Sequence, residues 1–358
     1  HKPHRLVLPN RHDRLQTGPA RAAFRYDHSR ATVARLFRDS RRVMVIRTAA
    51  VAASMFVSAS SVWATVTFTG VIDFAGASTV QARGIANDGS IVGYRTIGGV
   101  TESFIRSGGV DTFFQNSGLN TFALGINDGG TTVGGSNPAS GGQDAFIRSI
   151  GGAFTTFNPV GNTNSSAVGI NNAGVTVGAQ NIGNGAWRRL ADGTTTAFTY
   201  TGIAGDTIFN SNATDVLNDG TIIGHSVLLN GADFGGRGWL SIDGGSTFSH
   251  LAAPGFAFTF AWGGNDTGLI VGDVSNSSTL AQRSGFVLDR SSNAFTYFDV
   301  AGADWTVPTG INDAGQIVGF WRSATDGQVR GFTAVIPAPG AAAVLGIAGL
   351  FAGRRRRA

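Results

Sequence analysis

The chain has 358 residues, with Gly at 53, Pro at 9 and no Cys. That composition excludes a disulfide framework, a thiol nucleophile, a thiolate metal site and any collagen-like or Pro-rich linker. The net charge of +5 suggests nucleic acid, but twelve of the 27 Lys and Arg precede residue 48 and four close the chain, leaving 11 against 19 acidic residues over 65–336. A segment so acidic lacks the positive face that phosphates require, and no nucleic-acid partner is expected.

Residues 1–43 are rich in Arg, lack any repeat, and read as upstream sequence ahead of a true start at Met44. Residues 44–64 place Arg47 before the apolar run Thr48 to Val57, and Val62-Trp63-Ala64 forms a small-residue exit. This is the layout of a signal peptide, with an apolar run too short to span a membrane and cleavage expected between Ala64 and Thr65. Ser40-Arg41-Arg42 resembles the start of a twin-arginine signal, so both general and twin-arginine export stay open.

A repeat occupies 65–336. Six ten-residue frames recur: GIANDGSIVG from Gly84, GINDGGTTVG from Gly125, GINNAGVTVG from Gly169, DVLNDGTIIG from Asp215, GGNDTGLIVG from Gly263 and GINDAGQIVG from Gly310. Their closing glycines lie 41 to 48 residues apart. Each frame is followed by an aromatic-led segment (SFIRS, AFIRS, AWRRL, GWLSI, GFVLD, GFTAV) and, except in the last repeat, by a Phe- or Tyr-bearing one. An orphan copy of that last element, TFTGVIDFAG, sits at 67–76. Each unit therefore reads as four short strands with a tight turn at Asn-Asp-x-Gly, where Asn and Asp bond their own backbone and Gly takes positive φ. The turn residues are Asn87, Asp88, Asn127, Asp128, Asn171, Asn218, Asp219, Asn265, Asp266, Asn312 and Asp313. In AFTYFDV, Phe295 and Tyr297 point one way and Phe298 and Val300 the other. Both faces are thus apolar, as in a sheet packed between neighbours.

Four-stranded units of this length match the blades of an all-β propeller, and an N-terminal strand completing the last unit hides exposed sheet edges. Six four-stranded blades are expected, with seven blades or an open β-solenoid as alternatives. The motif series resembles the extracellular HAF-repeat family, over about 65–335. That resemblance implies secretion and little chemistry.

The tail, 337–358, holds Pro337 and Pro339, an apolar stretch from Gly340 to Gly353, and Arg354, Arg355, Arg356 and Arg357. As a helix that stretch would reach only about 21 Å, against roughly 30 Å of hydrocarbon. It would make a weak, temporary inner-membrane anchor with the arginines on the cytoplasmic side. The segment resembles the PEP-CTERM sorting signal, which implies processing by an exosortase in a Gram-negative bacterium and delivery to the cell surface or extracellular matrix. Ala338 stands where that motif carries Glu.

Chemistry is sparsely furnished. The repeat segment has two histidines, His225 and His250, and one Glu, Glu102. Two His cannot build a three-ligand zinc site alone, and both read as strand residues. Asp88, Asp128, Asp219, Asp266 and Asp313 suggest Ca²⁺ loops, yet the turn geometry already accounts for them and no cofactor is expected. Trp239, Trp262, Trp305 and Trp321 could stack on sugars at a propeller mouth or fill the core. The expectation is a non-enzymatic, exported propeller for adhesion or exopolysaccharide-matrix assembly. A propeller-type glycan hydrolase or lyase, marked by Asp, Arg or His converging at one mouth, and a lectin-like module are the alternatives.

Overall fold

A computed structural model describes residues 65–337 apart from 118–119, 140, 160–163, 181–184 and 231–232. The expected signal peptide and the segment ahead of it lie outside the described residues, as does the tail beyond Pro337. Among the described residues there is no α-helix, and no helix long and apolar enough to cross a membrane.

The chain opens with β1 (Thr67–Ile72). Repeat 1 is β2 (Thr79–Ile85), β3 (Ile91–Ile97), β4 (Val100–Ser107) and β5 (Val110–Phe114). Repeat 2 is β6 (Thr121–Ile126), β7 (Thr132–Ser136), β8 (Asp144–Arg148) and β9 (Phe154–Phe157). Repeat 3 is β10 (Ser165–Ile170), β11 (Thr176–Gln180), β12 (Ala186–Arg189) and β13 (Thr195–Phe198). After β14 (Asp206–Ile208), repeat 4 is β15 (Asn212–Val216), β16 (Ile222–Asn230), β17 (Asp233–Ser241) and β18 (Ser249–Leu251). Repeat 5 is β19 (Phe258–Gly264), β20 (Leu269–Ser275), β21 (Ser284–Asp289) and β22 (Ala294–Phe298). Repeat 6 is β23 (Ala303–Ile311), β24 (Gln316–Ser323) and β25 (Val329–Val335), and β1 supplies its fourth strand by pairing antiparallel with β25 from Thr67↔Val335 to Ile72↔Gly331. Among the described residues antiparallel pairing thus groups the strands of each repeat in fours, and the single parallel bridges Thr79↔Val329 and Gly236↔Phe258 join repeat 6 to repeat 1 and repeat 4 to repeat 5 in larger sheets. Repeat 4 departs from the others: β16 and β17 are lengthened, and β14 pairs with the tip of β16.

Two features of the frame explain why these sequences take this shape. Its closing glycine lies opposite the aromatic residue of the third strand in every repeat: Gly93↔Phe104, Gly134↔Phe146, Gly178↔Trp187, Gly224↔Trp239, Gly272↔Phe286 and Gly319↔Phe332. A Cβ on Gly93 would come within 2.9 Å of the Phe104 ring. Glycine leaves room there for both that ring and the Gln81 carbonyl of the inner strand, which such a Cβ would meet closer still. In addition, every innermost strand carries one bulge just ahead of the frame, at Arg83, Leu124, Val168, Thr214, Trp262 and Thr309. A bulge bends the strand and re-aims the extra side chain.

Core packing closes the circle. Each hydrophobic cluster straddles two successive repeats. Ala86 and Val92 meet Ala123 and Ile126; Val133 meets Ala167 and Trp187; Val177 and Tyr200 meet Ile222 and Trp239. Ile223 and Leu240 then meet Ile270 and Phe286, and Val271 and Val287 meet Ile317 and Phe332. Last, Ile72 and Val318 meet Val80 and Phe104, joining repeat 6 to repeat 1. An open solenoid has no such final contact. The architecture is an all-β propeller, in which each apolar sheet face is covered by its neighbour.

On the outermost strand of repeat 5 the two faces separate as the alternation requires. Phe295 packs with the cluster of Phe286 and Leu288, whereas Phe298 and Val300 join that of Ile317 and Phe332. Tyr297 points the same way as Phe295, against Phe295 and Phe256, but at the outer rim it stays 40% exposed.

Candidate binding site: an axial channel and a lateral groove

The innermost strands run toward the Asn-Asp turns, which meet at one end of the central channel. At each turn a glycine takes positive φ: Gly89, Gly130, Gly174, Gly220, Gly268 and Gly315. The turn residues bond both within their own turn and across to the next repeat. Asn127, Asn171, Asn265 and Asn312 bond their own turn, accepting from the N–H of Thr131, Val175, Leu269 and Gln316. In repeats 1 and 4, where Ala86 and Leu217 replace that Asn, Asp88 and Asp219 do the job instead, accepting from Ser90 and Thr221.

The next frame position reaches across to the neighbouring repeat. The N–H of Asn87 donates to Asp128 Oδ1 (2.8 Å), Asp128 to Asn172 (2.9 Å), Asn172 to Asn218 (2.9 Å), Asn218 to Asp266 (3.1 Å), Asp266 to Asp313 (2.9 Å) and Asp313 back to Asn87 (2.9 Å). Three amides and three carboxylates thus form one closed ring of hydrogen bonds. Asn172, absent from the expected turn set, is a full member; its signal was its fourth place in the frame. The expectation that both turn residues act only locally is corrected: this position spans two repeats throughout, and Asn127, Asn171, Asn265 and Asn312 also donate Nδ2 to a carbonyl of the next turn. Burial raises the Asp128 carboxyl, but the Asn172 amide and the Asn87 backbone and side-chain N–H groups outweigh it and hold Asp128 below the ordinary carboxylate range. A cavity of about 70 Å³ opens at this ring. Among the described residues no group of three His, Cys, Asp or Glu is placed to hold a metal.

Below the ring, Ile85, Ile126, Ile170 and Ile311 line both this cavity and a deeper one of about 40 Å³. The bulge residues surround the deeper cavity. Asp215 lines it too, at a frame position held by Gly in the other five repeats. Burial pushes its carboxyl up to about 6, although the N–H groups of Gly264 and Val216 pull the other way.

Aromatic and charged side chains gather at the end of the channel away from the turns. The Arg83 guanidinium lies 5.3 Å from the Trp262 ring and 5.6 Å from Phe320. Trp262 donates to Asp273 (2.6 Å), which Arg283 grips through two bonds of 2.6 and 2.7 Å. Tyr94 donates to Gln81 (2.6 Å) and meets Phe122 edge to face, and Trp305 meets Phe320. His225 is buried against Trp262 and bonds the Ala261 carbonyl; burial drives its pKa down to about 4, so it is neutral at pH 7. The cluster belongs to repeats 1, 4, 5 and 6 and to the Phe122 edge of repeat 2.

The four tryptophans singled out from sequence have different fates. Trp262 and Trp305 are half-buried in this cluster. Trp321 is half-buried with Arg330 over its ring at 6.0 Å. Trp239 is fully buried and packs against Tyr200 and Phe248, so of the two alternatives it takes the core, with Gly224 facing it across the strand pair. His250 is exposed and lies 2.6 Å from the Tyr200 hydroxyl. Glu102 pairs with Arg95 at 2.6 Å.

A second concavity lies off the axis, between repeats 1 and 2 at their turn end. It has a volume of about 370 Å³. Asp88, Thr112 and Ile105 face Asp128, Arg148 and Ile150 across it.

The fold is that of the β-propeller proteins. No protein-family model matches the chain, and no curated protein matches it. Among solved structures, the streptogramin B lyase structure is similar at 12% identity, covering 75% of this chain and 98% of that one, with a TM-score of 0.43. A putative TolB from Agrobacterium tumefaciens is similar at 13% identity over 72% and 91% of the two chains, TM-score 0.49. A catalytically inactive virginiamycin B lyase from Staphylococcus aureus, with quinupristin, is similar at 13% identity over 70% and 79%, TM-score 0.43. Likeness at this level says nothing about activity.

Proposed function

We propose that this chain is an exported, surface- or matrix-associated propeller that binds extracellular polysaccharide without cleaving it, in adhesion or matrix assembly. One observation carries the reading: the half-buried rings of Trp262, Trp305, Tyr94 and Phe122 gather with Arg83 at one end of the channel. Flat π-faces beside hydrogen-bonding groups suit sugar rings, which present C–H faces and hydroxyl edges. Export and sorting rest on the signal-peptide layout and on the resemblance of the tail to an exosortase-processed signal, with transient residence in the inner membrane.

A second reading, a propeller-type glycan hydrolase or lyase, is favoured by the convergence of His225, Asp273, Arg283 and Arg83 at that same end. Against it, Asp273 is fully engaged by Arg283 and Trp262, and His225 is buried with both ring nitrogens bonded. A glycan array combined with a hydrolase and lyase screen on the full chain tests both. Binding without new reducing ends, weakened by Trp262→Ala, is expected. Chain cleavage abolished by Asp273→Asn would replace the binding reading with the enzymatic one. Mass spectrometry of the exported protein's C-terminus tests sorting, and an intact Arg357 defeats it.

A further inference from the structure

We infer that the lateral groove between repeats 1 and 2 is a sugar-binding site for neutral hexose units, with Arg148 as its central donor. This inference rests on the polysaccharide-binding reading and gives that reading a second, separate point of contact. The groove's volume of about 370 Å³ falls within the roughly 300–1,000 Å³ typical of small-molecule sites.

The argument starts from a comparison within the repeat. Arg106 and Arg148 occupy equivalent places, two residues after the aromatic of the third strand. Across the strand pair Arg106 faces Asp111 and bonds it twice, at 2.7 and 2.8 Å. Arg148 faces Phe154 instead, and among the described residues its guanidinium has neither a carboxylate partner nor a hydrogen bond. Its Nε is buried and unsatisfied. Leaving a buried donor unpaired is costly, and native structures rarely do so without a reason. The guanidinium is nonetheless held in place, 4.4 Å from the Phe114 ring of repeat 1 and 6.0 Å from Phe154 of repeat 2. It is a fixed, planar donor set with no acceptor supplied by the chain.

The rest of the groove specifies the ligand. Arg148 shares it with two carboxylates, Asp88 and Asp128, so its net charge is −1 and an anionic ligand is disfavoured. Both carboxylates are prefixed: Asp88 by Ser90, and Asp128 by Asn87 and Asn172. Their remaining lone pairs accept from hydroxyls, while Arg148 donates to them. Val110 and Ile150, 66% and 77% exposed, form apolar lips. Acceptors and donors spaced around an apolar wall match a pyranose, whose neighbouring hydroxyls donate and accept beside a C–H face.

The test is calorimetric titration of the full chain with cellohexaose, laminarihexaose and mannohexaose, alongside chitohexaose and oligogalacturonate. At least one neutral hexaose is expected to bind, with affinity falling tenfold or more in Arg148→Met and Arg148→Lys. Because the Arg148 guanidinium makes no hydrogen bond in the chain and a Met side chain can also cover Phe114 and Phe154, Arg148→Met is also expected to leave the melting temperature unchanged or raised, so lost binding is separable from lost folding. Preference for the uronate, or neutral-hexose binding indifferent to Arg148→Met, overturns the site. If binding survives Arg148→Met but fails in Trp262→Ala, the groove is refuted while the polysaccharide reading stands; if nothing in the set or on the array binds, both fall.

Discussion

Asp313 and Asn87 lie 226 residues apart and exchange two hydrogen bonds: the Asp313 N–H donates to Asn87 Oδ1, and Asn87 Nδ2 donates to Asp313 Oδ2, both at 2.9 Å. The same Asn87 side chain reaches Asp128 on its other side at 3.1 Å. One amide therefore stands between two carboxylates at the junction of the first and last repeats. Because an amide both donates and accepts, it satisfies its neighbours where a third carboxylate would repel them.

Replacing that amide tests the ring. Asn87→Ala removes the bridging bonds and is expected to cost about 2 kcal/mol, the range for hydrogen bonds to charged groups. Asn87→Asp is expected to cost more at pH 7, since it sets three carboxylates side by side. The Asp128 carboxyl is held below its ordinary value, so its contribution is present at neutral pH and lost as pH falls through the folded-state pKa. The Asp variant should behave oppositely, recovering toward the parent as acid neutralises the trio. Denaturant melts at pH 7 and pH 4 decide; an Asp variant no worse than the Ala variant at pH 7 would show that the ring is not electrostatically tuned.

The strand–glycine–aromatic pairing makes a second test. A Cβ on Gly178 would fall about 2.5 Å from the Trp187 ring and also press on the backbone of the inner strand. Gly178→Ala is expected to cost about 1–3 kcal/mol through overpacking. Trp187→Ala, which empties a fully buried site, should cost about 3–5 kcal/mol. In the double variant the new methyl moves toward space the ring has vacated, so the combined loss should be smaller than the sum. Strict additivity in urea midpoints would mean that the backbone contact, not the ring, makes glycine necessary.

How far the sequence disclosed this molecule follows from which interactions leave a periodic trace. The frame glycines and the aromatics facing them recur every 41 to 48 residues, so the strand sets and the propeller class were legible. The displaced copy at 67–76 likewise announced the pairing of β1 with β25. The residues of the candidate site broke the period instead. Asp215 replaces a frame glycine, and Arg83 and Trp262 stand at bulge positions that hold Leu, Val or Thr elsewhere. The ring was half visible: the frame aligned Asn87 with Asp128, but the recurring Asn-Asp pair suggested one shared local role. Arg148 gave no signal at all. Its sequence context, AFIRS, nearly copies SFIRS around Arg106, and only the cross-strand partner, Phe154 against Asp111, separates them.

Asp215 provides a pH-dependent test. Burial lifts its carboxyl to about 6, while the same group in an unfolded chain titrates near 4. Between those values the folded chain holds a proton that the unfolded chain has released. Stability contributed by this site therefore falls as pH rises through the window and levels off above it, by up to about 3 kcal/mol at 1.36 kcal/mol per unit. Asp215→Asn removes the titration. The stability difference between parent and variant should change by that amount between pH 4 and pH 7.5 and remain flat above; a difference constant across the range would show that the cavity leaves the carboxylate solvated.

Ile72 shows whether the N-terminal strand is structural. It is 1% exposed, pairs with Gly331, and sits in the cluster that joins repeat 6 to repeat 1 with Val80, Phe104 and Val318. Terminal strands commonly fray, and a decorative one would tolerate truncation of its side chains. Here the side chain fills the last interface of a closed circle, so Ile72→Ala is expected to cost about 2–5 kcal/mol, as at an interior position. Val71, adjacent on the same strand but 57% exposed, is the internal control and should change stability by less than about 0.5 kcal/mol when made Ala. Equal effects at the two sites, or an Ile72→Ala protein indistinguishable from the parent, would mean that the circle closes without β1. A large loss confined to Ile72 would show that the two ends of the repeat segment, separated by every repeat, are held together through this buried side chain and the strand that carries it.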